Sequence, residues 1–214
     1  MYLKTSEQSR AKLGFGDQSI NWGMHVAGLY ETDEERDYIL FSFLKQGCLD
    51  GDFQLYCPAE ENTSLFKENF LNHCPNHKSY LEDPDHFSIH SPKELYYPNG
   101  TFSPWTMEEK LEEFFHESQR NGKRNIRASS DMKWALNRIP GIEYLMAYES
   151  RLNYFIPGKP WISICLYNTG EFDDTTIMSV LRTHPFVINE GRISMNTLYQ
   201  DPVIWLKENA PQFI

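Results

Sequence analysis

The 214-residue sequence is short of positive charge: 20 lysines and arginines stand against 30 aspartates and glutamates, for a net charge of -10. Nucleic-acid affinity rests on neutralising phosphates from a basic face, so direct nucleic-acid binding is not expected. Long apolar runs are also missing. No stretch approaches the roughly 20 residues of a membrane-spanning helix, and the amino terminus lacks the apolar core of an export signal. Cys48, Cys57, Cys74 and Cys165 are scattered with no paired spacing. Without an export signal, reduced thiols in a cytoplasmic protein are expected rather than disulfides. There is no internal repeat, no low-complexity linker, and no G-x-S-x-G elbow to mount a nucleophilic serine.

What the sequence does hold is enough material for a core. Hydrophobic residues make up 40%, with 14 Phe, 12 Tyr and 5 Trp, which excludes a disordered chain. The length suits a single domain, read as residues 20–214 behind a polar leader or edge-packing arm at 1–19. The run His25–Tyr30 reads as a first buried strand. Thr32-Asp-Glu-Glu35 then opens a helix, with Thr32 as N-cap and Glu35 closing a capping box. Its apolar residues Tyr38, Ile39, Phe41, Phe43 and Leu44 lead to a stop near Gly47 or Gly51. Further strands are expected at 52–57, 87–90, 125–129, 161–167 and 186–188. Helices are expected at 60–73, from Ser103-Pro104 to Asn121-Gly122, at 142–155, after Asp173 or Asp174, and at 202–208. Strands alternating with helices predict an α/β fold, a mostly parallel central sheet with helices on both faces.

The stretch Arg127-Ala-Ser-Ser-Asp-Met-Lys-Trp134 marks where a ligand would bind. After the basic pair Lys123-Arg124, a short buried strand ends in small polar residues and the carboxylate Asp131, and a helix follows with Trp134 in its first turn. Ligands of open α/β sheets sit in the crevice beyond the carboxyl ends of the strands. Tyr30, Trp134 and Tyr167 fall at strand ends, where an apolar ring with a polar edge suits a small organic ligand.

These residues also carry a resemblance. Gly23-Met-His25 through Tyr30-Glu-Thr, the loop Tyr97-Pro-Asn-Gly-Thr-Phe102, Asp131-Met-Lys-Trp-Ala-Leu136, Tyr148-Glu-Ser-Arg-Leu-Asn153, Cys165-Leu-Tyr167 and Leu181-Arg-Thr-His-Pro185 occur in one order. That order resembles the MEDS domain, the sensory domain named for methanogens, methylotrophs and the dichloromethane-metabolism regulator, over about residues 20–190. The resemblance implies a RecA/KaiC-like fold and a sensor of small molecules, with methylated or halogenated one-carbon compounds as the ligand class. Asp131 stands where Glu is more usual, and Asn168-Thr169 replaces a more charged turn. Family members are often joined to a DNA-binding or histidine-kinase module. The tail beyond the resemblance is expected to be too short for one, so a regulatory protein or histidine kinase in trans is the expected partner, with homo-oligomerisation left open. As a shared cluster the resemblance groups Asp131 and Trp134 with Glu149, Arg151 and His184.

A RecA-like ATPase would need a glycine-rich loop with Lys and Ser/Thr to cradle phosphates. The equivalent turn, Tyr30-Glu-Thr-Asp-Glu-Glu35, has no glycine or lysine, and its four carboxylates would repel a polyphosphate. The expectation is therefore a non-enzymatic sensory domain with no cofactor and no metal. A degenerate ATPase or hydrolase, and an oligomeric scaffold without ligand, are the alternatives. The expected ligand-binding set is His25, Tyr30, Arg127, Asp131, Trp134, Glu149, Arg151, Tyr167, Arg182 and His184. Each has a plainer reading. His25 can be a satisfied core histidine, Glu149 can pair with Arg127 or Arg182 to fix a helix on the sheet, and Arg182 and His184 can complement a helix dipole. Cys165 reads as a small core residue, and His73-Cys-Pro-Asn-His77 as a chance gathering of metal-type donors.

Overall fold

The first helix begins where a side chain can satisfy its free amides. In the computed structural model, which describes residues 10–120, 122 and 124–214, Thr32 accepts from the Glu35 amide while Glu35 reaches back to the Thr32 amide. The helix that results, α1 (Asp33–Asp50), ends on Gly51 in the left-handed region at φ 73°. Before it come a two-stranded antiparallel hairpin, β1 (Arg10–Lys12) and β2 (Ser19–Asn21), and the strand β3 (Met24–Tyr30). After it come β4 (Phe53–Cys57), α2 (Thr63–His73), α3 (Lys78–Leu81), β5 (Phe87–Ile89), α4 (Pro92–Leu95), α5 (Pro104–Arg120) and β6 (Ile126–Asp131). The chain closes with α6 (Leu145–Phe155), β7 (Trp161–Asn168), α7 (Asp174–Thr183), β8 (Phe186–Asn189), β9 (Arg192–Met195) and α8 (Pro202–Asn209).

Seven strands form one sheet in the order β5-β4-β6-β7-β3-β8-β9, parallel throughout except for the β8/β9 hairpin at its edge. The expected α/β architecture is therefore present, mostly parallel and covered on both faces. Alternation along the strands feeds two cores. Phe53, Leu55 and Cys57 of β4, Ile126 and Ala128 of β6, and Trp161, Cys165 and Tyr167 of β7 face one core with α5 and α6. Val26 and Tyr30 of β3 and Ile162, Ile164 and Leu166 of β7 face the other, with α1 and α2.

The differences from the sequence expectation have local causes. The segment after β6 is a 3-10 helix (Met132–Asn137), not an α-helix, because Asp131 caps it through the Lys133 amide and Arg138 then turns left-handed. Residues 142–144 are likewise 3-10, and α6 begins at Leu145. The second helix starts at Thr63, where Asn62 supplies the cap, rather than at Glu60. Strand β9 escapes pattern reading because it is an exposed edge with little apolar alternation. Residues 1–9 of the expected leader, together with Asn121 and Lys123, lie outside the described residues. Within 10–19, Leu13 and Phe15 are buried against the α1 core. Among the described residues no helix is long and apolar enough to cross a membrane.

Candidate functional site

Four donor-bearing side chains meet inside the α5/α6 core. His25 lies on β3 and Cys165 on β7, adjacent parallel strands in which His25 is opposite Ser163 and Cys165 opposite Ala27. Glu149 descends on them from α6, and His184 from the residue that ends α7. All four are buried, with Glu149 and His184 at 0% exposure. His25 Nε2 is 3.1 Å and His184 Nε2 3.2 Å from the same oxygen, Glu149 Oε2. Cys165 Sγ is 3.5 Å from His25 Nε2, and the two imidazole centroids are 4.0 Å apart. His184 Nδ1 donates to the Val180 carbonyl at 2.8 Å, which turns its Nε2 toward the cluster. Tyr167, fully buried, packs edge-on against His184.

Burial drives His25 down to about 4, helped by the neighbouring His184 and opposed by Glu149. For Glu149 burial works in the opposite direction, yet the close approach of His184 and His25 outweighs it and holds the carboxyl at about 2. A carboxylate is thus kept charged in the core without a Lys or Arg beside it among the described residues. The pairing of Glu149 with Arg127 or Arg182 expected from the sequence is corrected: its partners are the two histidines.

A second polar group occupies the crevice at the carboxyl ends of the strands, on the other face of the sheet. Tyr30 donates to Asp131, 3.2 Å from both oxygens, the Lys133 amide donates to Asp131 at 3.1 Å, and Arg36 Nη1 lies 3.7 Å away. The cleft here, about 170 Å³, is lined by Asp33, Arg36, Asp37, Tyr56, Glu60 and Asp131 among others. Four carboxylates around one guanidinium disfavour a polyphosphate.

Burial raises Asp131 from 3.8 to about 6, although Lys133, Arg36 and Tyr30 favour its charged form. A carboxyl raised in the folded state binds more protons there than when unfolded, so its contribution to stability falls as pH rises from about 4 to about 6. Asp131→Asn should therefore gain on the order of 2 kcal/mol over wild type at pH 7 and nothing near pH 4. Denaturant titrations of both proteins at the two pH values check this. A difference that does not change with pH would contradict it. His25, depressed to about 4, has the opposite slope, so the wild-type curve alone would hide the effect.

The remaining expected residues lie elsewhere. Arg127 is at the amino-terminal end of β6, bound to Asp50, Asp52 and the Lys12 carbonyl. Arg151 pairs with Glu108, donates to the Phe213 carbonyl and stacks on Trp105, tying α6 to α5 and the carboxyl-terminal segment. Arg182 is exposed on α7. Trp134 is buried and stacked on Tyr96 with centroids 4.3 Å apart. The grouping of Asp131, Trp134, Glu149, Arg151 and His184 as one cluster is thus corrected: Glu149 and His184 meet, while the other three belong to separate contacts. His73 Nδ1 bonds to the Asn69 carbonyl, and the 73–77 run forms no three-donor group among the described residues.

Between the sheet and helices α4, α5 and α6 lies a cavity of about 20 Å³ that the sequence did not reveal. Leu95, Met107, Leu111 and Leu152 make its walls apolar, and Tyr96, Tyr148 and Trp161 add rings. Ser129 and Ser130, also on the wall, have buried hydroxyls with no hydrogen-bond partner among the described residues. Tyr148 and Leu152, which flank Glu149 along α6, line the cavity, so one helix borders both cavity and cluster.

Comparison with known proteins places these features. Three solved structures share the fold: a KaiC-like protein, PH0186, from Pyrococcus horikoshii OT3 (TM-score 0.60, 14% identity, 84% of this chain and 80% of that one); the flagellar accessory protein FlaH from Methanocaldococcus jannaschii (0.53, 15%, 91% and 92%); and the uncharacterized protein PH0321 from Pyrococcus horikoshii (0.56, 16%, 81% and 82%). The fold is therefore of the KaiC/RecA-like class, here with an acidic, glycine-free turn between β3 and α1. Within that class, the profile of the methanogen/methylotroph, DcmR sensory domain (MEDS) matches residues 24–185, and the chain belongs to this family. The transcriptional repressor DcmR of Methylorubrum extorquens (strain DSM 6343 / CIP 106787 / DM4) is 24% identical over 180 residues, 84% of this chain. The match spans 64% of the length of that relative.

Proposed function

We propose that this protein is a non-catalytic sensory domain that takes up one very small organic molecule between its sheet and helices α5 and α6, and reports occupancy to a partner regulator or kinase. The observation that carries this reading is the cavity beside Ser129 and Ser130: room for a ligand of about one to three heavy atoms, apolar and aromatic walls, and two hydroxyls free to orient a polar end. One-carbon compounds have that size. Membership in a sensory family supports a signalling role, and the repressor DcmR supports a regulatory output. Helices α5 and α6 both wall the cavity, so a ligand favouring one spacing of the pair would shift the population of their two arrangements.

Thermal unfolding with methanol, methylamine and dichloromethane tests the proposal. A ligand at 100 times its dissociation constant should stabilise the chain by about 2.7 kcal/mol. Ser130→Ala should weaken a hydroxyl-bearing ligand about tenfold, and Ala128→Leu, which fills the cavity, should abolish the shift. No shift from any compound, or a shift that survives Ala128→Leu, overturns the reading.

A further inference from the structure

We propose that His25, Glu149, Cys165 and His184 form a closed tetrahedral site for a divalent transition metal of the zinc class. One nitrogen, oxygen or sulfur from each residue can be chosen so that all four lie within 4.8 Å of one another. Around tetrahedral zinc, with Zn–N of about 2.0–2.1 Å and Zn–S of about 2.3 Å, neighbouring donor atoms sit about 3.3–3.6 Å apart. Three of the six separations, 3.1, 3.2 and 3.5 Å, are close to the edges of that tetrahedron, and the other three are within 4.8 Å.

Angles agree with distances. His184 Nε2 and Glu149 Oε2 are at contact range yet, among the described residues, have no partner in hydrogen-bond geometry. Atoms so close but misaligned for N–H···O bonding are what lone pairs converging on one centre produce. The His184 Nδ1–H donated to the Val180 carbonyl is the outer contact that fixes a metal-binding imidazole. Charge agrees as well: Glu149 is buried with no basic side chain beside it other than imidazole among the described residues, and a buried uncompensated carboxylate is costly.

The donor set selects the ion. Two imidazoles, a thiolate and a carboxylate suit zinc, cobalt or nickel, whereas magnesium and calcium take oxygen ligands. Four protein donors leave no open position, so the ion would hold structure rather than activate water. It would pin α6 and the end of α7 to β3 and β7, setting the position of the helix that walls the cavity. Complete burial means that loading accompanies folding. The site is independent of what occupies the cavity.

The test refolds the full chain from denaturant and chelator, with a reductant, in the presence of cobalt(II). One equivalent should bind with intense tetrahedral ligand-field bands and a thiolate-to-cobalt charge-transfer band, and zinc should displace it. Cys165→Ser should lose the charge-transfer band, and His184→Ala should weaken binding at least a hundredfold. Zinc content of chain expressed in zinc-supplemented medium, wild type against Cys165→Ser, supplies a measurement free of refolding. It should show one equivalent in wild type and less in the variant. Wild-type protein that takes up no cobalt(II) or zinc, weak octahedral bands, or a cobalt spectrum unchanged in Cys165→Ser each overturns the proposal.

Discussion

Arg127→Ala should destabilise the protein by about 3–5 kcal/mol, the cost of removing one partner from a buried ion pair. Arg127 is 0% exposed. Its Nε donates to Asp52 at 2.6 Å, Nη2 to Asp50 at 2.9 Å and Nη1 to the Lys12 carbonyl at 2.8 Å, so one side chain joins β6, the end of α1, the start of β4 and the β1/β2 hairpin. The guanidinium lies over Phe43, 5.0 Å from the ring centroid, so its removal also opens space in the core. Asp52, 2% exposed and already pushed upward by burial, would be left with Asn125 as its remaining side-chain partner. Gly47 of α1 completes the fit, since a Cβ there would come within 2.8 Å of Arg127 Cδ. Arg127→Lys should fail to restore stability, because an ammonium cannot reach three acceptors in a planar fork. Guanidinium titrations of Arg127→Ala, Asp52→Asn and the double variant would show strong coupling. A loss below about 1 kcal/mol for Arg127→Ala would remove the anchor role assigned to it.

Arg127 also shows how far the sequence could be read. A charged residue in a short buried strand looked like a ligand contact, since nothing in one dimension says which end of the strand it occupies. The structure puts it at the amino-terminal end, away from the crevice. Elements with strong local signals were legible: the Thr32/Glu35 capping box, the alternating β7, and the cap of α7, expected at Asp173 or Asp174 and found at Asp173. So was the parallel sheet, because helices alternate with strands. His25, Glu149 and His184 could be named but not joined, because their meeting depends on α6 and the end of α7 packing over two particular strands. Cys165 was read as a small core residue, although it shares its strand face with Tyr167, and parallel register sets it opposite Ala27, two residues from His25. Strand order fixes that register, and the order β7-β3 skips the chain between them, so periodicity alone gives no hint of it. The cavity beside Ser130 was invisible for the same reason: its lining comes from six separate elements.

Glu149→Ala should cost about 3–4 kcal/mol in the chelated chain, and more in a metal-loaded one. The side chain is 0% exposed and faces two imidazoles at 3.1 and 3.2 Å, so truncation leaves a void beside two buried rings that lose their acceptor. Glu149→Gln keeps the volume and one acceptor oxygen while removing a buried charge, and should cost less than about 1 kcal/mol without metal. The acid limb separates the two causes. His25 is depressed to about 4 by burial and by His184, so the folded chain binds fewer protons than the unfolded chain between about 4 and 6.5, and stability rises with pH across that window. Glu149 is the group that opposes this depression. Without its charge His25 moves lower, and both variants also lose the acid sensitivity that Glu149, held at about 2, gives wild type below about 4.5. Unfolding measured from pH 3 to pH 7 should therefore show Glu149→Ala and Glu149→Gln with the same altered pH profile, offset from each other by the void alone. Curves that differ in slope as well as height would mean that Glu149 acts on this cluster through something other than its charge.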